Sequence, residues 1–258
     1  MGLRSLYRTF NETRKSTRER ATLVVTGNSP GAARLASVLG AGHGVRGGEV
    51  LLSVEKEEGE TRIGISGEAV ESPGEIVLPM SLPTAPEGEL LKDLIPLVID
   101  SLEDEYLVPL GRSYGVFRRP VCEELIRKNA RQNALVGALP VPGADLPVMT
   151  ANQGRMVLSI AAVHGEELSL DRARELLGVL GAGLGLRALG RQVVKLVPVA
   201  GWAVAAGIGY AGTLAMGQAT LIYFERGKRQ PGPGEVSDLK TRAIEEAQGF
   251  LSRFRRGS

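Results

Sequence analysis

LVPVAGWAVAAGIGYAGTLAMGQATLIYF, residues 196–224, runs for 29 residues without a charged side chain. Such a run has to be shielded from water, by protein or by lipid. As one helix it measures about 43 Å at 1.5 Å per residue, against a hydrocarbon layer of about 30 Å, so length permits a span. Five glycines and Gln218 lower its hydrophobicity, and a helix of that kind equally suits the inside of a soluble bundle. Small residues recur four apart at Ala203, Gly207 and Ala211, and again at Ala205, Gly209 and Thr213. Each set makes a face on which another helix packs at short distance. Trp202, Tyr210 and Tyr223 are residue types of the membrane interface, although Tyr210 stands mid-run. Arg187, Arg191 and Lys195 precede the run, and Arg226, Lys228 and Arg229 follow it. The positive-inside rule therefore assigns both ends to one side, which a single crossing does not satisfy. A shallow re-entrant or in-plane arrangement does, with the flanking cations on anionic headgroups.

The rest of the composition frames this run. At 258 residues the chain is long enough for two domains. Hydrophobic content is 43% and aromatic content 4%, with 34 glycines, which favours close packing through small residues over large aromatic anchors. A single cysteine, Cys122, permits no internal disulfide and no cysteine-rich zinc site, and points to a reducing cytoplasm. The net charge of +2 hides a segregation: residues 49–105 hold fifteen acidic and three basic side chains, −12, so the remainder carries +14. A nucleic-acid binder would interleave its basic residues with stacking aromatics, and those are missing, so nucleic acid is not expected as a partner.

Residues 1–20 read as a basic amphipathic arm. Leu3, Leu6, Tyr7 and Phe10 fall at helical spacing among six basic and two acidic residues, which suits an anionic membrane surface or a solvated arm docked on its own domain. The stretch has no apolar central region of a secretory signal. Gly2 is not a myristoylation site, because Leu6 stands where Ser or Thr is needed.

Residues 21–112 read as a small acidic α/β domain. ATLVVTGNSPGAARLASVLGAG predicts a buried strand, a Gly-containing turn and a helix. Gly27 and Gly31 sit where a phosphate loop would sit, and they are the candidate cofactor-binding residues. The loop continues Ala32-Ala33-Arg34 instead of the Gly-Lys-Ser/Thr that reaches phosphate and magnesium. A structural turn is therefore favoured and no cofactor is expected. VLLSVEK, TRIGISG and EIVLPMS predict three further strands, and LLKDLIPLVIDSL a helix interrupted by Pro96. The carboxylates of EKEEGE and EDE have no His or Cys among them and read as solvated loops, not as an acid/base pair or a metal site.

From residue 113 the pattern turns helical: a domain over 113–230, then a helix and basic tail over 231–258. Pro120 is expected to start the first helix. LPVPGADLP ends it as a turn built on Pro142, Gly143 and Asp145, with Asp145 bonding local backbone N–H groups, and Pro147 starts the next helix. Ser169 is expected to cap a third helix that continues to Pro198. Asn133, Asn152 and Gln153 are expected to form a polar network between helices, joined by Arg155. His43 and His164 stand alone in sequence and read as ordinary residues, and no metal is expected.

Three blocks, RQNALVGALPVPGADLPVMTANQGRM, RARELLGVLGAGLGLRALGRQ and LVPVAGWAVAAGIGYAGTLAMG, give the chain a resemblance, over about residues 119–224, to the bacterial domain of unknown function numbered 697. The resemblance implies a helical, membrane-associated domain without assigned catalytic residues. Because relatives carry a GTPase domain in front, it also implies that the first half is a degenerate GTPase-like domain. The expected function is accordingly non-enzymatic: a protein at the cytoplasmic face of the bacterial inner membrane, binding lipid or a membrane protein, with a second copy of itself as a further partner. The alternatives are a cytoplasmic nucleotide-responsive regulator using the Gly27–Gly31 turn, and a soluble helical scaffold whose apolar run is core or oligomer interface.

Overall fold

The computed structural model describes residues 20–44, 47–57, 60–78, 82, 85–138, 145–167, 169–184 and 201–256. They form a mixed-sheet part followed by a mostly helical part. These belong to two compact units, Asn11–Val121 and one that takes in Cys122–Ser258.

In the first unit the buried run Leu23–Thr26 is strand β1. Its parallel neighbours are β2 (Gly42–His43) on one side and β3 (Val50–Glu57) on the other. A strand paired on both sides has no wet edge, which is why it reads as continuous apolar sequence. Between β1 and β2 runs helix α1 (Pro30–Leu39), started by Ser29, whose Oγ accepts the Ala32 N–H at 3.2 Å. It is stopped by Gly40 in the left-handed region, φ +66°. Strand β4 (Glu60–Ser66) returns antiparallel to β3, and β5 (Gly74–Leu78) antiparallel to β4, so the sheet order is β2-β1-β3-β4-β5. Thr61, Ile63 and Ile65 alternate inward along β4, and the period of two fixes its register. Helices α2 (Glu87–Ser101) and α3 (Asp104–Ser113) follow, with Leu90, Leu94, Ile95, Val98 and Ile99 making the buried stripe of α2. The Arg34 guanidinium donates to the carbonyls of Leu82 (2.7 Å) and Ala85 (2.6 Å), tying α1 to the chain ahead of α2.

Two proline expectations are corrected. Pro96 lies inside a continuous α2 and does not interrupt it. Pro120 does not start its helix: α4 spans Gly115–Ala138, and Pro120 is its sixth residue. A proline removes only its own bond to the carbonyl four residues back, and the packing of flanking residues such as Phe117 and Val121, both fully buried, holds the helix through that gap.

In the helical unit α5 (Asp145–Val163), α6 (Leu170–Leu184), α7 (Gly201–Glu225) and α8 (Pro233–Arg256) follow α4. Ser169 caps α6 through its Oγ, which accepts the Arg172 N–H at 3.3 Å. The expected continuation of that helix to Pro198 falls on residues outside those described. Most of the opening apolar run is α7, and it packs against α5, α6 and α8. Ala206, Tyr210, Ala211, Leu214, Ala215, Met216, Ala219, Leu221 and Phe224 are all buried. A helix apolar on every side belongs in an interior, and most of α7 over residues 203–224 is covered by these neighbouring helices, with Ile208 left exposed.

Candidate functional site

The side chains singled out in the helical unit converge on one seam. Helices α4 and α7 run antiparallel and close together. A Cβ placed on Gly137 would lie 2.7 Å from the Ala205 carbonyl oxygen, and one on Gly209 2.6 Å from that of Asn133. A Cβ on Gly217 would lie 2.6 Å from Ile126 Cγ1. The stripe Ala205, Gly209, Thr213, continued by Gly217, is thus the α4-facing side of α7. The stripe Ala203, Gly207, Ala211 lies on the side of Tyr210, which stacks on Phe250 of α8 with ring centroids 4.6 Å apart. Both small-residue faces are used inside one chain, as close approach requires.

The polar network sits in this seam. Asn133 and Thr213 are fully buried. Asn133 Nδ2 donates to Thr213 Oγ1 at 2.8 Å and, at 3.5 Å, to the Met149 carbonyl. Asn152 Nδ2 donates to Asn133 Oδ1 at 3.0 Å, and Gln153 Nε2 to Thr213 Oγ1 at 3.3 Å. The expected trio is therefore joined by Thr213, which sequence reading had taken only as a small residue. Its signal was a hydroxyl at the spacing of the stripe. No bond from Arg155 is seen among the described residues. A network satisfied by its own members fixes the pairing of α4, α5 and α7 and leaves little for a ligand.

The cations proposed for headgroups divide. Arg226 pairs with Glu235, at 2.6 Å from Nη1 to Oε2, and the same carboxylate oxygen accepts the Gly232 N–H at 2.9 Å. Lys228 Nζ meets Glu166 Oε2 at 2.8 Å. Both pairs are half-exposed, and such pairs contribute about 0–1 kcal/mol, so they are readily exchanged for another anion. Arg229 is exposed. Arg187, Arg191, Lys195, Pro142 and Gly143 lie outside the described residues. So do the side chains of Asp145, Pro147 and Trp202, whose backbones belong to α5 and α7. Sequence reading missed Glu124, a buried carboxylate on α4 held by Arg127 at 3.2 Å and Arg131 at 3.9 Å. Only the three- and seven-residue spacing hinted at it.

In the first unit the turn between β1 and α1 is shaped by its own packing. Gly27 has φ +134°, and a Cβ there would lie 2.8 Å from the Val54 carbonyl oxygen. Its own carbonyl lies 3.1 Å from His43 Nε2. Gly31 is buried in the first turn of α1. The Ala32 and Ala33 N–H groups are bonded to the Ser29 carbonyl at 3.0 and 3.3 Å, so an anion at this helix start would have to displace them. Nearby, Glu49 Oε2 accepts the Thr22 N–H at 2.7 Å. Burial opposes the charge on Glu49, but hydrogen bonds from backbone N–H groups and Thr22 outweigh it and hold the carboxyl below its ordinary range. Burial and the carboxylates of Glu105, Glu103, Glu68 and Glu49 push the Tyr106 phenol upward. Among the described residues no group of three or more His, Cys, Asp or Glu is arranged to hold a metal.

Comparison with known proteins follows the same division of the chain. No solved structure matches. Over 139 residues, 50% of this chain and 68% of the relative, the chain is 27% identical to Magnetosome membrane protein 22 of Magnetospirillum gryphiswaldense. The family model described as Domain of unknown function (DUF697) matches residues 115–248, or 134 of the 258 residues. The α4–α5–α7 seam thus lies wholly within the matched part, and the chain belongs to the DUF697 family.

Proposed function

We propose that the protein is a non-enzymatic, membrane-associated protein whose helical unit binds lipid or a membrane partner at the cytoplasmic face of the bacterial inner membrane. The observation that carries this reading is the similarity of half the chain to a protein named for the magnetosome membrane. No helix among the described residues is long and apolar enough to cross a membrane, and α7 is wrapped by its neighbours. The proposed attachment is therefore peripheral, with Arg187, Arg191, Lys195, Arg226, Lys228 and Arg229 as headgroup cations and Trp202 near the interface. Washing isolated membranes tests it. High salt or alkaline carbonate is expected to release the full-length protein. Release by detergent alone would put residues 196–224 in lipid, and recovery in the soluble fraction from the outset would remove the proposal in favour of a soluble scaffold.

A second reading rests on one observation, the succession of β1, a glycine turn and α1 beside the parallel strand β3. In it a degenerate GTPase-like first half responds to a nucleotide phosphate at Gly27 and Gly31. GTP or ATP with magnesium should then raise the melting temperature, and Gly31→Glu should abolish the rise. An unchanged melting temperature with both nucleotides removes this reading.

A further inference from the structure

Arg226, Lys228 and Arg229 stand on one exposed turn, residues 226–230, between α7 and α8. The Lys228 N–H donates to the Tyr223 carbonyl at 2.8 Å, and Gly227 and Lys228 both take left-handed φ values, +65° and +69°. The turn therefore curls back onto the end of α7. Two of its cations meet carboxylates brought from elsewhere in the helical unit. Lys228 Nζ lies 2.8 Å from Oε2 of Glu166, in the connection between α5 and α6. The Arg226 guanidinium engages both oxygens of Glu235, in the first turn of α8, at 2.6 Å from Nη1 to Oε2.

A guanidinium fork binds carboxylate and phosphate in the same bidentate way, and an ammonium is a point charge for either. Glu235 and Glu166 therefore fill the positions that headgroup phosphates would take on Arg226 and Lys228. The two uses of each cation compete. All four side chains are partly exposed, from 32% for Glu235 to 52% for Arg226, so solvent and lipid reach the pairs and exchange is open to them. Losing Arg226 does not strip Glu235 of its other role, since the same carboxylate accepts the Gly232 N–H at 2.9 Å at the start of α8.

We propose that Glu166 and Glu235 are built-in competitors of lipid phosphate, an autoinhibitory contact that holds Lys228 and Arg226 until an anionic bilayer displaces it. This rests on the membrane-associated reading and adds its regulation. By linkage, whatever weakens the two pairs strengthens lipid binding. The test is co-sedimentation of the full chain with vesicles of phosphatidylcholine mixed with phosphatidylglycerol. E166Q/E235Q, whose glutamine oxygen at 235 still accepts the Gly232 N–H, is expected to bind about three- to tenfold more tightly than wild type. E245Q/E246Q removes the same charge from exposed positions of α8 and is expected to bind within about twofold of wild type. With R226Q/K228Q added, E166Q/E235Q should bind no better than R226Q/K228Q alone. A gain that E245Q/E246Q matches, or that survives without the two cations, is an effect of net charge and overturns the inference. Absence of any gain overturns it too. Inorganic phosphate at the vesicles' phosphate concentration should leave binding unchanged; displacement would make free phosphate the ligand and overturn the lipid assignment. If E166Q/E235Q does not fold, judged by circular dichroism, E166Q alone takes its place, because Glu166 lies in a connection and not in a helix. Binding by wild type with no gain in the glutamine variants leaves the membrane-associated reading standing. Binding by neither wild type nor E166Q/E235Q ends the lipid reading and this inference together.

Discussion

Gly209 and Gly212 are three residues apart on one helix and have opposite requirements. Alanine has the higher helix propensity, by about 0.8–1 kcal/mol over glycine. At Gly212 nothing lies within 4 Å of the added methyl, so Gly212→Ala is expected to stabilise the helical unit by up to that amount. At Gly209 the methyl would meet the backbone carbonyl of Asn133, which has no rotamer to yield. Overpacking costs about 1–3 kcal/mol, which outweighs the propensity gain, and Gly209→Ala is expected to lower the melting temperature. Equal stabilisation by both substitutions would show that the seam is looser than these distances. Asn133→Ala removes the three bonds of the buried amide, to Thr213, Asn152 and the Met149 carbonyl, at about 1–3 kcal/mol for each group left without a partner. Urea titration with unchanged slope would register that loss, and a midpoint equal to wild type would refute the network's role. Sequence revealed both small-residue stripes and three of the four network members. It did not reveal which stripe faces α4, because periodicity places residues on a face without naming the neighbour.

The elements that sequence located best are those whose signal is local. The buried run of β1, the serine at the start of α1 and the alternation in β4 each follow from a few adjacent residues. Prolines misled because their effect depends on packing elsewhere: α2 and α4 run through Pro96 and Pro120. The uncharged run left two readings open, since its length alone admits both lipid and protein surroundings. What decides between them is the set of neighbouring helices, and α8 is the part of that set with the clearest amphipathic pattern. Its buried stripe is Leu239, Ala243 and Ala247, small enough at the last two positions for the α7 backbone to come close. Ala243→Leu is therefore expected to overpack the contact by about 1–3 kcal/mol and to loosen α8. Limited proteolysis should then cut near the exposed turn at residues 227–230 sooner than in wild type. Unchanged cleavage would mean that α8 contributes little to covering α7.

At the scale of the whole chain, the division at Val121 and Cys122 gives two cores of different chemistry, one a sheet with helices, the other a small-residue helix bundle. Units with separate cores unfold separately unless something couples them, so calorimetry is expected to show two transitions, each answering to variants in its own core. Asn133→Ala should move only the transition of the helical unit. The other belongs to the unit of Glu49, whose folded carboxyl titrates below its ordinary value. A depressed carboxyl contributes stability that is present above its unfolded pKa and is lost as pH falls through the folded one. Acidification through and below the ordinary carboxylate range should therefore lower the first unit's transition, and Glu49→Gln should lower it at neutral pH while reducing that acid response. A single transition shifted by both substitutions would show that the chain folds as one cooperative body, and that the charge segregation along the sequence does not mark a boundary in stability.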